Sequence, residues 1–236
     1  MSRRLPILVL VAAAVAGCGS NSHPSTRGVA PPGTATTPST TTAALPPTTI
    51  TAFRVHDGKL AAESEQVPHT QAVAAASLHA LGIEASVQVT DGTARVDLSG
   101  ASEEQVAEIV YTLTQFSSVE RVDVGGRTGL ARGDVAAFVP PILVESPGSG
   151  ASVPAVFTVS GTASVFEATL VVELRRGGRV LTKQTVTATV GAPGRGTFST
   201  TLHAPSPGDA TIAAYAPSAA DGTPQHEQDV AVTVGP

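Results

Sequence analysis

Val87-Gln88-Val89-Thr90-Asp91-Gly92-Thr93-Ala94-Arg95-Val96-Asp97-Leu98 is two alternating runs joined by a two-residue turn. Asp-Gly between apolar/polar alternations is a strong hairpin signal, because both turn residues need positive φ. Ser102-Glu103-Glu104-Gln105 follows, a capping box with two carboxylates at the positive end of a helix dipole. Val106, Ile109, Val110 and Leu113 then recur at helical spacing and predict an amphipathic helix. Ser117-Ser118 ends it, and Val122 and Val124 alternate with Arg121 and Asp123 up to Gly125-Gly126. Strand, strand, helix, strand predicts a mixed sheet with a helix on one face.

Upstream, Thr51, Phe53 and Val55 alternate with Ala52 and Arg54, and Asp57-Gly58 predicts another hairpin returning through Leu60. Thr70 is placed to cap a short Ala-rich helix. Val73, Ala74, Leu78 and Leu81 would face inward, and Gly82 would terminate it. Residues 50–128 thus read as a small α+β domain with two helices.

Downstream, residues 129–138 read as a linker. Residues 139–236 carry seven short strands separated by turn residues: 142–145, 155–160, 169–176, 179–189, 197–203, 210–216 and 227–234. That pattern predicts an all-β immunoglobulin-like sandwich. The chain has one cysteine and no tryptophan, so such a sandwich must hold without a disulfide.

The N-terminus is organised around that cysteine. Arg3 and Arg4 precede an apolar run from Leu5 to Val15, about half the roughly 20 residues that a spanning helix needs. Residues 1–17 therefore read as a signal peptide. Val15-Ala16-Gly17-Cys18 resembles the lipobox of bacterial lipoproteins. That resemblance implies a diacylglyceryl group on the Cys18 thiol, whose two acyl chains suffice for stable anchoring. Residues 18–49 are the lipidated Cys and a Ser/Thr/Pro segment, which reads as a disordered stalk. As a coil its 31 or so residues after Cys18 would span roughly 30 Å, and about 95 Å if fully extended. Its threonines are candidate O-glycosylation positions.

The full chain has a net charge of −5, and residues 50–128 hold five basic and eleven acidic residues. An acidic protein is a poor partner for nucleic acid. His23, His56, His69, His79, His203 and His226 show no metal-ligand spacing, and no nucleophile–base or phosphate-loop motif occurs. The chain therefore reads as a non-enzyme without cofactor or metal. Weaker candidates remain. Asp97 and Ser99 could line a polar groove with Tyr111. Glu167 could bind a backbone amide pair or join Asp221 around a calcium ion. Arg175, Arg176 and Arg179 flank Gly177-Gly178 and could form a basic tip that contacts anionic wall polymer or lipid headgroups.

Two family resemblances sharpen this reading. Thr93-Ala94-Arg95-Val96-Asp97-Leu98-Ser99, Ile109-Val110-Tyr111-Thr112-Leu113-Thr114-Gln115-Phe116 and Val119-Glu120-Arg121-Val122 resemble the GerMN domain of sporulation and germination proteins and of envelope lipoproteins. Phe157-Thr158-Val159-Ser160-Gly161-Thr162-Ala163, Val165-Phe166-Glu167-Ala168, Gly194-Arg195-Gly196-Thr197-Phe198 and Tyr215-Ala216-Pro217-Ser218 resemble the immunoglobulin-like domain of bacterial spore-germination proteins. Together they imply a lipid-anchored binding or scaffolding module on the outer face of the cytoplasmic membrane of a Gram-positive cell. Its partner would be an envelope protein or a cell-wall polymer. Alternative roles are a regulator of an envelope sensor or germination apparatus, or a peptidoglycan- or glycan-binding module.

Overall fold

The structure is a computed structural model and describes residues 45–236. The segment expected as signal peptide, Cys18 and all but the last five residues of the segment expected as stalk lie outside the described residues. The first strand begins at Thr48, two residues inside the segment expected as stalk.

β1 (Thr48–His56) and β2 (Lys59–Val67) pair antiparallel along their whole length. Asp57 and Gly58 have φ of 50° and 74°, the conformation their turn demands. The return strand, expected to pass through Leu60, runs to Val67, and Leu60, Ala62 and Val67 are all buried. Helix α1 (Val73–Ala80) starts later than expected, and its N-cap is Ala72. Thr70 does not cap it. Its hydroxyl instead accepts the Ala72 N–H at 3.0 Å, closing a turn before the helix. At the other end Gly82 N–H bonds to His79 O and Ile83 N–H to Leu78 O, the paired bonds of a Schellman terminus.

β3 (Ser86–Thr90), β4 (Thr93–Asp97), β5 (Arg121–Val124) and β6 (Arg127–Leu130) form a four-stranded sheet in that order. β4 and β5 are parallel, and α2 (Glu103–Leu113) makes the crossover between them. Both halves of the Ser102/Gln105 capping box are present. Val106, Ile109, Val110 and Leu113 of α2 pack against Ala94, Val96, Val122 and Val124 of the sheet and Ala52 and Phe53 of the hairpin. Gly125-Gly126 turns the chain into β6 rather than ending the sheet. The segment 132–138 is a 3-10 turn with Val135 in the same core.

The C-terminal part is an immunoglobulin-like sandwich. One sheet orders β11 (Arg179–Thr187), β10 (Thr169–Arg176), β13 (Gly208–Pro217), β14 (Pro224–Val234) and β8 (Ala151–Val153). The other orders β12 (Gly196–His203), β9 (Val156–Ala163) and β7 (Ile142–Ser146). All seven expected strands are present. β8, three residues long and parallel to β14, is too short to show alternation in the sequence.

The two parts share packing. Ile142 and Val144 of β7 enter the sandwich core, while Leu143 between them enters the core of the α+β part. The loop after β7 lies on β2: Ser149 N–H donates to Ala62 O, and Ser64 N–H donates to Ser149 O, both at 2.8 Å. Gly148 permits this approach, since a Cβ there would stand 2.7 Å from the Glu63 carbonyl carbon and 2.8 Å from Ser64 N. Arg132 closes the seam from the 3-10 turn. Its guanidinium lies 4.6 Å from the Tyr111 ring centre, with Nε bonded to Thr114 Oγ1 at 2.9 Å and Nη1 to Glu145 at 2.7 Å.

Candidate functional site

β4 and β5 present Ala94, Val96, Val122 and Val124 to the helices, so period-two alternation turns Arg95, Asp97 and Asp123 to the open face. There they line an open depression of about 720 Å³, together with Gln88, Ser99 and Arg127. Two ion pairs border it, while Asp97 makes no ion pair among the described residues. Arg95 Nε meets Asp123 Oδ2 at 3.3 Å, and Asp123 Oδ1 accepts the Gly129 N–H at 2.8 Å. Arg127 binds Glu103 at the start of α2, and that hydrogen bond lowers the Glu103 pKa. Such an arrangement offers a polar binding surface with fixed donors and acceptors.

Asp97 and Ser99 line this depression as the sequence suggested, but Tyr111 does not join them. Tyr111 lies on the core side of α2, only 3% exposed, against Phe53 and beneath Arg132. Helical spacing alone did not separate the two sides of the sheet.

The sheet edges differ sharply. β1 has its outer edge closed by one stripe of α2 and its C-terminal turn. Glu108 Oε1 accepts Val55 N–H at 2.8 Å, Thr112 Oγ1 accepts Phe53 N–H at 2.9 Å, and Gln115 bonds both the N–H and the carbonyl of Thr51. Burial raises the Glu108 pKa, and the Val55 hydrogen bond opposes that rise. These three residues were missed in the sequence because they read as the solvated face of an amphipathic helix. The outer edge of β3 has no such cover. Among the described residues, Ser86–Thr90 make their backbone ladder with β4 alone.

On the sandwich, the three arginines expected as a basic tip divide. Arg175 binds Glu173 and Glu227, and Arg176 donates to Asp209 O, Ser206 and Gly208 O. Arg179 begins β11 with an exposed side chain. Glu173 is itself buried and also accepts from Tyr215 Oη at 2.9 Å. Burial pushes its pKa up, but hydrogen bonds from Arg175, Tyr215 and Lys183 outweigh that and leave it lowered.

Glu167 sits exposed in a 3-10 turn with φ of 52°, and Asp221 accepts from Thr223 within its own turn. Among the described residues, no group of three or more His, Cys, Asp and Glu side chains gathers in a form that could hold a metal ion. Among them also, no helix is long and apolar enough to cross a membrane.

Comparison with known proteins agrees with the sequence resemblances. Residues 58–125 match the family described as sporulation and spore germination. Residues 141–223 match the immunoglobulin-like domain of bacterial spore germination. No curated protein sequence matches the chain. One solved structure, of an engineered protein, is similar over 62% of this chain at 17% identity with a TM-score of 0.30. This chain spans 38% of the length of that one.

Proposed function

For a chain that carries a sporulation and spore-germination domain followed by an immunoglobulin-like germination domain, we propose the role of a non-catalytic binding module. It is held on the outer face of the cytoplasmic membrane by a lipid on Cys18. The observation that carries this reading is the open face of the four-stranded sheet. Arg95, Asp123, Arg127 and Glu103 are tied into fixed pairs around an open depression, which suits a docking surface. The seam through Ser149, Gly148 and Leu143 supports a second element of the reading. A partner on one part would meet a surface held in register with the other.

The anchor and the partner are tested together. Cells expressing the full chain are fed an alkyne-bearing palmitate analogue and then treated with a cross-linker. Label on the wild type and none on Cys18→Ala is expected, with a discrete set of cross-linked envelope proteins. Absence of label on the wild type would overturn the anchor. Retention on purified cell wall without any protein cross-link would replace the protein partner with a wall polymer.

A further inference from the structure

We propose that the outer edge of β3 is a docking strand for an extended, basic-ended segment of a partner protein. This rests on the reading of the chain as a binding module and names the partner's chemistry.

An edge strand exposes a row of backbone donors and acceptors that another strand can pair with. Proteins usually blunt such edges with lysine, proline, a bulge or a covering element. β1 follows that rule through Glu108, Thr112 and Gln115. β3 breaks it. Ser86-Val87-Gln88-Val89-Thr90 contains no charge and no proline, its register with β4 is unbroken, and Val89 is 42% exposed. The strand therefore offers five residues of regular edge, with an exposed apolar side chain at its fourth position.

The charges around it choose the occupant. Glu84 precedes β3 by two residues, and its carboxylate is 82% exposed. Asp91 follows the strand directly. Asp97 stands opposite Ser86 in the register, and Glu120 packs beside Gly92 at the other end. His79 Nε2 lies 3.3 Å from Glu84, and Arg95 is already paired to Asp123. The edge is thus framed by carboxylates at both ends. A segment with Lys or Arg at its ends and β-branched residues between would satisfy both the ladder and the frame. A second copy of this chain would not. Antiparallel pairing of two β3 strands about Gln88 sets Asp91 opposite Ala85, next to the other copy's Glu84, and like charges oppose each other there.

The test uses the full-length chain in detergent and three synthetic heptapeptides. One is Lys-Val-Thr-Val-Thr-Val-Arg, the second has glutamate at both ends, and the third is the basic peptide with alternate backbone nitrogens methylated. Binding is followed by fluorescence anisotropy and by amide shifts. We expect the basic peptide to shift the amides of Ser86–Thr90, and the acidic and methylated peptides to bind at least tenfold more weakly. Glu84→Gln with Asp91→Asn should weaken the basic peptide about fivefold, as expected for two exposed charge pairs. Asparagine tolerates the positive φ of position 91. Equal affinity for the three peptides, or no binding of the basic peptide at millimolar concentration, would overturn the proposal. So would a dimer in sedimentation that Val89→Lys dissolves. Partner cross-links confined to the sandwich would also overturn it, while leaving the binding-module reading intact.

Discussion

Thr112 Oγ1 accepts a hydrogen bond from the backbone N–H of Phe53 at 2.9 Å, across 59 residues of chain. The helix thereby serves as the second neighbour of β1, with Glu108 and Gln115 one turn away on either side. This use of polar helix residues fixes the hairpin against the four-stranded sheet and closes one of its two edges. Thr112→Val keeps the shape and removes the acceptor. An unsatisfied buried N–H costs about 1–3 kcal/mol, so urea unfolding should show a loss of that size, with Thr112→Ser restoring most of it. A neutral Thr112→Val would show that water or a shifted side chain replaces the hydroxyl.

Glu108 makes the stripe sensitive to pH. Burial raises its pKa in the folded protein above the ordinary value of about 4.3. A raised carboxyl binds its proton more tightly in the folded state. The associated destabilisation is absent below the unfolded pKa and grows as pH rises through the folded one. Glu108→Gln retains an acceptor for Val55 and removes the charge. The variant should therefore melt higher than wild type at pH 7, and the gap should narrow as pH falls towards the ordinary glutamate value of about 4.3 and be closed below it. Thermal unfolding of both proteins across that range is decisive, and a gap that widens on acidification contradicts the assignment.

How much of this was legible beforehand depends on the range of the interaction. The Asp57-Gly58 and Asp91-Gly92 turns and the Ser102/Gln105 box are local, so residue type alone placed them. Val106, Ile109, Val110 and Leu113 were found by period, because burial of one helix face is a local pattern read out globally. Thr70 failed because a threonine hydroxyl can close a turn as readily as cap a helix, and the choice depends on where the chain must go next. Arg132 and Glu145 gave no signal, and Gly148 beside Pro147 reads only as a turn. Their roles arise only when the 3-10 turn, β7 and β2 meet, and nothing in their sequence neighbourhoods encodes that meeting.

Gly148 provides the third prediction. A side chain there collides with the backbone of Glu63 and Ser64, so Gly148→Val must lift the loop from β2. The two backbone bonds of Ser149 would be lost together. Hydrogen exchange at Ser64 and Ser149 should accelerate at least tenfold, which corresponds to about 1.4 kcal/mol of local opening. The core amides of α2 should be much less affected. Uniform acceleration throughout would mean that the seam and the sheet domain unfold as one cooperative unit.

Arg132 and Glu145 tie the same seam by charge. The guanidinium stacks on Tyr111 while its Nη1 holds Glu145 at 2.7 Å, and both side chains are largely shielded from solvent. A planar stacked cation is poorly replaced by an ammonium. Arg132→Lys should therefore lose most of what Arg132→Ala loses. A double-mutant cycle with Glu145→Gln should return a coupling of about 0.5–3 kcal/mol. Coupling near zero would assign the role of Arg132 to its contacts with Tyr111 and Thr114 and not to Glu145.

Glu173 behaves oppositely to Glu108. Burial alone would raise its pKa, but donation from Arg175, Tyr215 and Lys183 overcomes that and holds it low. A depressed carboxyl contributes stability that is present above its unfolded pKa and is lost as pH falls through the folded value. Glu173→Gln should destabilise the sandwich at pH 7, by about 1–3 kcal/mol, as expected for hydrogen bonds to a buried charged group. The difference from wild type should close on the acid side, below the ordinary glutamate range. Tyr215→Phe removes one of the three donors and should shift the closing point to higher pH. A Glu173→Gln deficit that stays constant from pH 7 into acid would mean that packing, and not the carboxylate charge, is what the site requires.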